Sequence, residues 1–224
     1  MDTYQQLRRL LVLLVRVFFR RLEVVGLENL PREGGGILVA WHPNGLVDPA
    51  LILSAFPHHV VFGARHGLFK LPLLGRFMRA IGTVPIYRPQ DSAAGEDALR
   101  SRNDASLDLL ADRIAGGSFS ALFPEGITHD APFLQELKTG AARLYYRART
   151  RTPSSRPTPV VIPVGIHYDH KRVFRSTALV VFHRPITPPA DLDVTPPADQ
   201  DPERMRALAR RLTDHLEQAL RGVI

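Results

Sequence analysis

Short apolar runs bounded by Gly, Pro and Asn alternate along most of this chain with segments of helical spacing, and that alternation fixes the fold class. Residues 22–25, 37–40, 60–63, 83–87, 118–123, 160–164 and 178–182 read as strands. Residues 49–56, 68–81, 94–115 and 141–149 carry helical spacing, and 202–220 make a closing amphipathic helix. Asp48 before Pro49 has the chemistry of a helix N-cap followed by proline at the first helical position. Strands alternating with helices predict an α/β fold, with a mixed, mainly parallel sheet flanked by helices on both faces. Residues 147–158, rich in Arg, Thr, Ser and Pro, read as a surface loop. The Pro-rich stretch 185–202 reads as a stiff connector, because too little chain follows it to build a second core.

The first segment, residues 4–21, is set apart by being both very apolar and basic. Leu10–Val15 and Val17–Phe19 are interrupted by Arg16 and flanked by Arg8, Arg9, Arg20 and Arg21. As helix, residues 10–19 rise about 15 Å, half of the roughly 30 Å hydrocarbon core of a bilayer. No A-x-A-like site follows before Leu22-Glu23-Val24-Val25, which argues against a signal peptide. Two readings remain: a helix lying in the plane of a membrane surface with its arginines at the lipid phosphates, or a buried core helix. We expect the first, with 1–21 as a membrane-surface helix and 22–224 as the α/β domain.

Charge and cysteine content narrow the chemistry. The chain has 29 Lys+Arg against 22 Asp+Glu, a formal net charge of +7, and only Lys70, Lys138 and Lys171 are lysines. An arginine surplus fits a polyanionic neighbour such as nucleic acid, an anionic bilayer or phosphorylated substrates, and equally the codon bias of a GC-rich genome. There is no cysteine, which excludes disulfide scaffolds, thiolate metal sites and cysteine nucleophiles. Gly116-Gly117-Ser118-Phe119-Ser120 lacks the closing glycine of a serine-hydrolase elbow, and neither a P-loop nor a dinucleotide fingerprint is present. The histidines at 58–59, 167 and 170 lack acidic company at ligand spacing, so no metal site is expected.

In open α/β sheets the reactive groups collect at the carboxyl ends of the strands. One such end reads Trp41-His42-Pro43-Asn44-Gly45-Leu46-Val47-Asp48. The Asn-Gly turn lets the loop curl so that Asp48 can reach His42, and an imidazole oriented by a carboxylate is the arrangement of a general base. The plainer alternative is an N-cap aspartate beside a rim histidine. A second end reads Phe123-Pro124-Glu125-Gly126-Ile127-Thr128-His129-Asp130, where Gly126 permits close backbone approach and Glu125 can grip a polyol hydroxyl. Lys138 before Thr139-Gly140 stands at a helix start, and Arg88 closes a strand; both suit a phosphate, and both are equally ordinary surface charges.

Taken together, these blocks resemble the lysophospholipid and glycerol-phosphate acyltransferase superfamily (PlsC-like). The matching residues are His42…Asp48, Gly82-Thr83-Val84-Pro85-Ile86-Tyr87-Arg88, Phe123-Pro124-Glu125-Gly126 and Val161-Ile162-Pro163-Val164, in order over about residues 22–187. Five residues between His42 and Asp48 and the Ile-Thr-His-Asp after Gly126 look like the branch that uses glycerol-3-phosphate and dihydroxyacetone phosphate. Residues 137–143 and Phe174-Arg175-Ser176 also look like that branch, while Trp41 stands where it often has Asn. The resemblance implies acyl transfer from acyl-CoA or acyl-carrier protein to a hydroxyl of a glycerol phosphate or lysophospholipid, with no cofactor beyond that co-substrate and no metal. It implies His42 as base, Asp48 as its orienter, and Asn44, Arg88, Glu125, Gly126 and Lys138 around the acceptor, with Arg65 and Arg175 as further cations. Backbone N–H groups near the two Pro-Gly turns are expected to hold the thioester oxyanion. The expected partners are an anionic membrane surface on the cytoplasmic face, a lipid acceptor and an acyl donor, with no nucleic acid. The rival readings are a non-catalytic lipid- or nucleic-acid-binding protein on the same fold, and a phospholipid hydrolase using the same histidine.

Overall fold

The structure, a computed structural model, describes residues 3–88, 95–129, 131, 133–197 and 201–223. Seven strands form one sheet: β1 (Arg21–Val25), β2 (Gly36–Ala40), β3 (Val60–Arg65), β4 (Val84–Ile86), β5 (Phe119–Leu122), β6 (Val160–Tyr168) and β7 (Thr177–Phe182). Among the described residues six α-helices accompany them: α1 (Thr3–Phe18), α2 (Val47–Ala55), α3 (Pro72–Ala80), α4 (Glu96–Ala115), α5 (Gly140–Arg151) and α6 (Pro202–Arg221). The spatial order is β1-β7-β6-β2-β5-β3-β4, with every neighbouring pair parallel except β6 and β7. The carboxyl ends of β2, β3, β4, β5 and β6 therefore share one edge, with β2 at its centre between β5 and β6.

Strand β2 is buried along its whole length, and alternation sends its side chains to two separate cores. Ile37 and Val39 join Val61, Val161 and the inner faces of α4, α5 and α6. Leu38 and Ala40 join Ile162, Val164, Phe119 and the inner faces of α1 and α2. This is the expected mainly parallel sheet covered on both faces, and it explains why the central strands read as unbroken apolar runs.

Helix α1 packs one side against the core and leaves the other exposed. Tyr4 and Val15 are buried, with Leu7, Leu11 and Phe18 packed against the same core. The Tyr4 hydroxyl lies 3.1 Å from Val60 N and 3.4 Å from Val60 O. Arg8 donates to Leu53 O (3.0 Å) and Phe56 O (2.6 Å), carbonyls that the end of α2 leaves without helical partners. The opposite side exposes Leu10, Leu13, Leu14 and Val17.

Three local expectations are corrected. The segment 68–81 is not one helix: a short 3-10 turn, His66–Lys70, precedes α3, and Leu71 between them is extended because Pro72 disfavours helical backbone before it. Helix α2 begins two residues earlier than expected, with Leu46 at the N-cap, so Asp48 lies inside its first turn and is not its cap. Residues 147–151 belong to α5 and not to a loop. Ala94, residues 198–200 of the connector and Asp130 lie outside the described residues.

The helical ending of α5 has a physical cause. Arg143, Arg147 and Arg151 recur every fourth residue along α5 and face Asp104, Asp108 and Asp112, equally spaced along α4. Arg147 reaches Asp104 at 2.7 Å and Asp108 at 2.6 Å, Arg151 reaches Asp108 at 2.6 Å and Asp112 at 3.0 Å, and Arg143 pairs with Asp104. Part of the arginine surplus is thus spent within the chain. Each part-exposed pair contributes only about 0.2–1 kcal/mol. Asp104→Ala, which breaks two pairs at once, is expected to lower unfolding stability by roughly 1 kcal/mol at low salt. Urea denaturation should show that loss shrinking in 1 M salt, where the Debye length is about 3 Å.

Candidate active site

The chain leaving β2 turns through His42, Pro43, Asn44 and Gly45 and enters α2 directly, with Val47 N donating to Asn44 O at 3.0 Å. Gly45 has φ 49, in the left-handed region that this tight reversal needs. The reversal brings Asp48 back under His42: His42 Nδ1 and Asp48 Oδ2 are 2.8 Å apart. The same oxygen accepts Asn44 N–H at 2.8 Å, and Oδ1 accepts the Tyr168 hydroxyl at 2.5 Å. Asp48 is fully buried, so these donors replace the water it has lost.

A carboxylate only accepts hydrogen bonds, which assigns the imidazole proton to Nδ1 and the lone pair to Nε2. The ring is held from its face as well, stacked on Phe123 with centroids 3.9 Å apart and planes at 17°. Tyr168, at the end of β6, was not anticipated from sequence. Burial, reinforced by the adjacent Asp48 charge, pushes its phenol far above the ordinary value, so it stays a protonated donor. Lys171 was missed too; its Nζ donates to Pro43 O at 3.1 Å, and its carbonyl accepts Asn44 Nδ2 at 3.0 Å.

The loop after β5 is built around Glu125, which is 2% exposed. Its Oε1 accepts Gln135 N–H at 2.7 Å and lies 2.8 Å from His129 Nε2, and its Oε2 accepts His42 N–H at 3.3 Å. His129 N–H in turn donates to His42 O at 3.3 Å, so the two loops are cross-braced. Gly126, at φ 70, closes its turn on Phe123 O, and a Cβ there would stand 3.0 Å from Lys138 Nζ. Of the backbone N–H groups near the two Pro-Gly turns, those of Asn44 and Gly126 are spent on Asp48 and Phe123 O respectively.

His42, Arg88, Gly126 and Lys138 line one cavity of about 850 Å³. One part of its wall is apolar: Leu10 and Leu14 of α1, Leu53 of α2, Phe62 of β3, Phe77 and Met78 of α3. Another part carries Arg65, Arg88, Lys138 and Arg143 together with Gly140 and Ala141 at the start of α5, whose backbone N–H groups favour an anion. Asp48, Asn44 and Glu125 do not line the cavity; they hold the residues that do. Arg175 lies elsewhere, its guanidinium 3.5 Å from Arg16 O.

The family model described as Acyltransferase matches residues 21–167, and the chain belongs to that family. An uncharacterized acyltransferase of Schizosaccharomyces pombe is 24% identical over 81% of this chain and 38% of its own length. The lyso-ornithine lipid O-acyltransferase of Rhizobium meliloti is 32% identical over 65% of this chain and 45% of its own. Glycerol-3-phosphate O-acyltransferase 2 of Saccharomyces cerevisiae is 38% identical over 38% of this chain and 11% of its own. This chain thus spans less than half the length of each. The 1-acyl-sn-glycerophosphate acyltransferase PlsC of Thermotoga maritima superposes with a TM-score of 0.58 at 18% identity, over 97% of this chain and 79% of that one, and shares its fold.

Tyr168→Phe removes one donor from a buried carboxylate, a loss of roughly 1–3 kcal/mol. Urea denaturation of the two proteins is expected to show that decrease; equal midpoints would mean the Tyr168–Asp48 bond contributes nothing.

Proposed function

We propose that this chain transfers a fatty acyl group from acyl-CoA or acyl-carrier protein to a hydroxyl of a glycerol phosphate or lysophospholipid. The observation that carries the reading is one cavity whose lining combines His42 with a set of apolar side chains and a set of cations. In this reading an acyl chain lies along the apolar lining and an acceptor phosphate at the cations, with the hydroxyl and the thioester beside the imidazole.

In this reading His42 Nε2 takes the proton of the acceptor hydroxyl as its oxygen attacks the thioester carbonyl. The tetrahedral intermediate collapses to the new ester, and the departing thiolate receives that proton from His42. Asp48 holds the tautomer and stabilises the transient imidazolium. The step uses no acyl-enzyme intermediate, no metal and no further cofactor. Lys138, Arg88 and the start of α5 hold the phosphate. Glu125, with its oxygens engaged by chain donors, shapes the acceptor loop through His42, His129 and Gln135, beside Gly126. Asn44 likewise acts through Asp48.

The same reading gives α1 a surface role at the cytoplasmic leaflet, with residues 22–224 carrying the chemistry. Among the described residues no helix is long and apolar enough to cross a membrane. The exposed stripe of α1, with Leu13 59% and Val17 51% exposed among arginines, suits an in-plane position on anionic lipid. Leu10 and Leu14 belong both to that stripe and to the cavity wall, so a lipid passes from bilayer to site along one surface.

Purified protein is expected to acylate lysophosphatidate or glycerol-3-phosphate in a thioester-dependent way, and His42→Ala to reduce turnover by about 10²–10⁴-fold. Undiminished turnover in a folded His42→Ala protein would remove the base, and fatty acid release without an acceptor would favour hydrolysis. Arg88→Ala should raise the acceptor KM well beyond the donor KM; equal changes would contradict a phosphate role. Replacing Leu13 and Val17 by Asp is expected to weaken binding to anionic vesicles by at least about tenfold, read by co-sedimentation.

A further inference from the structure

The turn joining β6 and β7, residues 169–176, exposes two large apolar side chains at its tip. Val173 is 54% and Phe174 60% exposed, with Lys171 and Arg172 before them and Arg175 after. The tip is built, not loose. Val173 N–H donates to His170 O at 3.1 Å, Ser176 Oγ donates to the same carbonyl at 2.9 Å, and Arg175 is held at φ 65, a left-handed conformation that costs energy for a residue with a side chain.

This tip continues the exposed side of α1. Arg175 N–H donates to Phe18 O at 2.7 Å, Arg20 N–H donates to Ser176 O at 2.9 Å, and the Phe174 ring meets Phe18 edge-on at 5.8 Å. From the other side of the same hairpin come three bonds to the catalytic loop: Lys171 Nζ to Pro43 O, Asn44 Nδ2 to Lys171 O, and the Tyr168 hydroxyl to Asp48.

We propose that the β6–β7 tip is a second membrane-contacting element, seating Val173 and Phe174 in an anionic bilayer surface, and that these three bonds transmit the contact to the His42–Asp48 pair. The proposal rests on the membrane reading of α1 given above. Two adjacent apolar side chains framed by cations match the interfacial region of anionic lipid, where the apolar tips sink and the cations meet phosphates. The hairpin is short and hydrogen-bonded at both ends, so fixing its tip also fixes the positions of Pro43, Asn44 and Asp48.

The chain has no cysteine, so a single introduced one can be labelled uniquely. Val173→Cys and, separately, Leu13→Cys proteins carrying an environment-sensitive fluorophore are mixed with vesicles of equal parts phosphatidylcholine and phosphatidylglycerol. A blue shift at both positions is expected. A shift at 13 alone overturns the proposal and leaves the α1 reading standing; no shift at either position overturns both. Phe174→Asp then tests the coupling. At saturating vesicles its kcat on vesicle-borne lysophosphatidate is expected to fall by about tenfold, with turnover of a monomeric short-chain lysophosphatidate unchanged. Retained kcat on vesicles, or an equal fall on both substrates, overturns the coupling.

Discussion

A carboxylate shut away from water must find its donors within the chain, and Asp48 finds three from two parts of the fold. The His42 imidazole and the Asn44 N–H come from the loop leaving β2, and the Tyr168 hydroxyl comes from the end of β6. Asp48 itself is rooted in the first turn of α2. These bonds make the strand, loop and helix one rigid corner, and they decide which ring nitrogen of His42 carries the proton. The sheet order serves that corner: with β2 between β5 and β6, the loop carrying Glu125 and the hairpin carrying Tyr168 reach the same turn from opposite sides. Glu125 repeats the device, a buried acid whose oxygens take up donors from His42, His129 and Gln135.

The cavity beside this corner has two chemistries because different layers supply its walls. Helices α1, α2 and α3 cover one face of the sheet and give it leucines, Phe77 and Met78; the ends of β3 and β4 and the start of α5 give it Arg65, Arg88 and Lys138. A molecule with an apolar chain and an anionic head matches both at once. The arginine surplus divides along the same lines. On α5 much of it is neutralised by the aspartates of α4, Arg143 included although it also lines the cavity, and on α1 Arg8 closes the end of α2.

Much of this was legible in the chain. Residues 37–40 and 160–164 read as strands because burial on both faces demands unbroken apolar runs, and the strand-end blocks at 42–48 and 123–126 pointed to the site. What escaped depends on distance in sequence. Tyr168 lies beyond a point where Gly165 and His167 interrupt the apolar run of β6, and its partner Asp48 is far away along the chain, so no local spacing reveals the pair. Asp48 was read both as the partner of His42 and as a helix cap, because Asp-Pro is a common helix start; its side chain is taken by His42, Asn44 and the distant Tyr168 and caps nothing. The aspartates at 104, 108 and 112 and the arginines at 143, 147 and 151 each keep a visible four-residue spacing, yet only the packing of α4 on α5 shows that they face one another. Glu125 was read as a ligand for substrate, whereas the donors it accepts come from its own loop, Gln135 and His42.

The account turns on the Asp48 carboxylate presenting a bare Nε2 of His42 to the cavity. Nitrogen-15 NMR of the imidazole, assigned by comparison with a His42→Gln protein, reads this directly. In the neutral ring the proton should reside on Nδ1, with Nε2 unprotonated, and Asp48→Asn should abolish that preference. A proton on Nε2, or a tautomer balance unchanged by Asp48→Asn, would contradict the account at its centre.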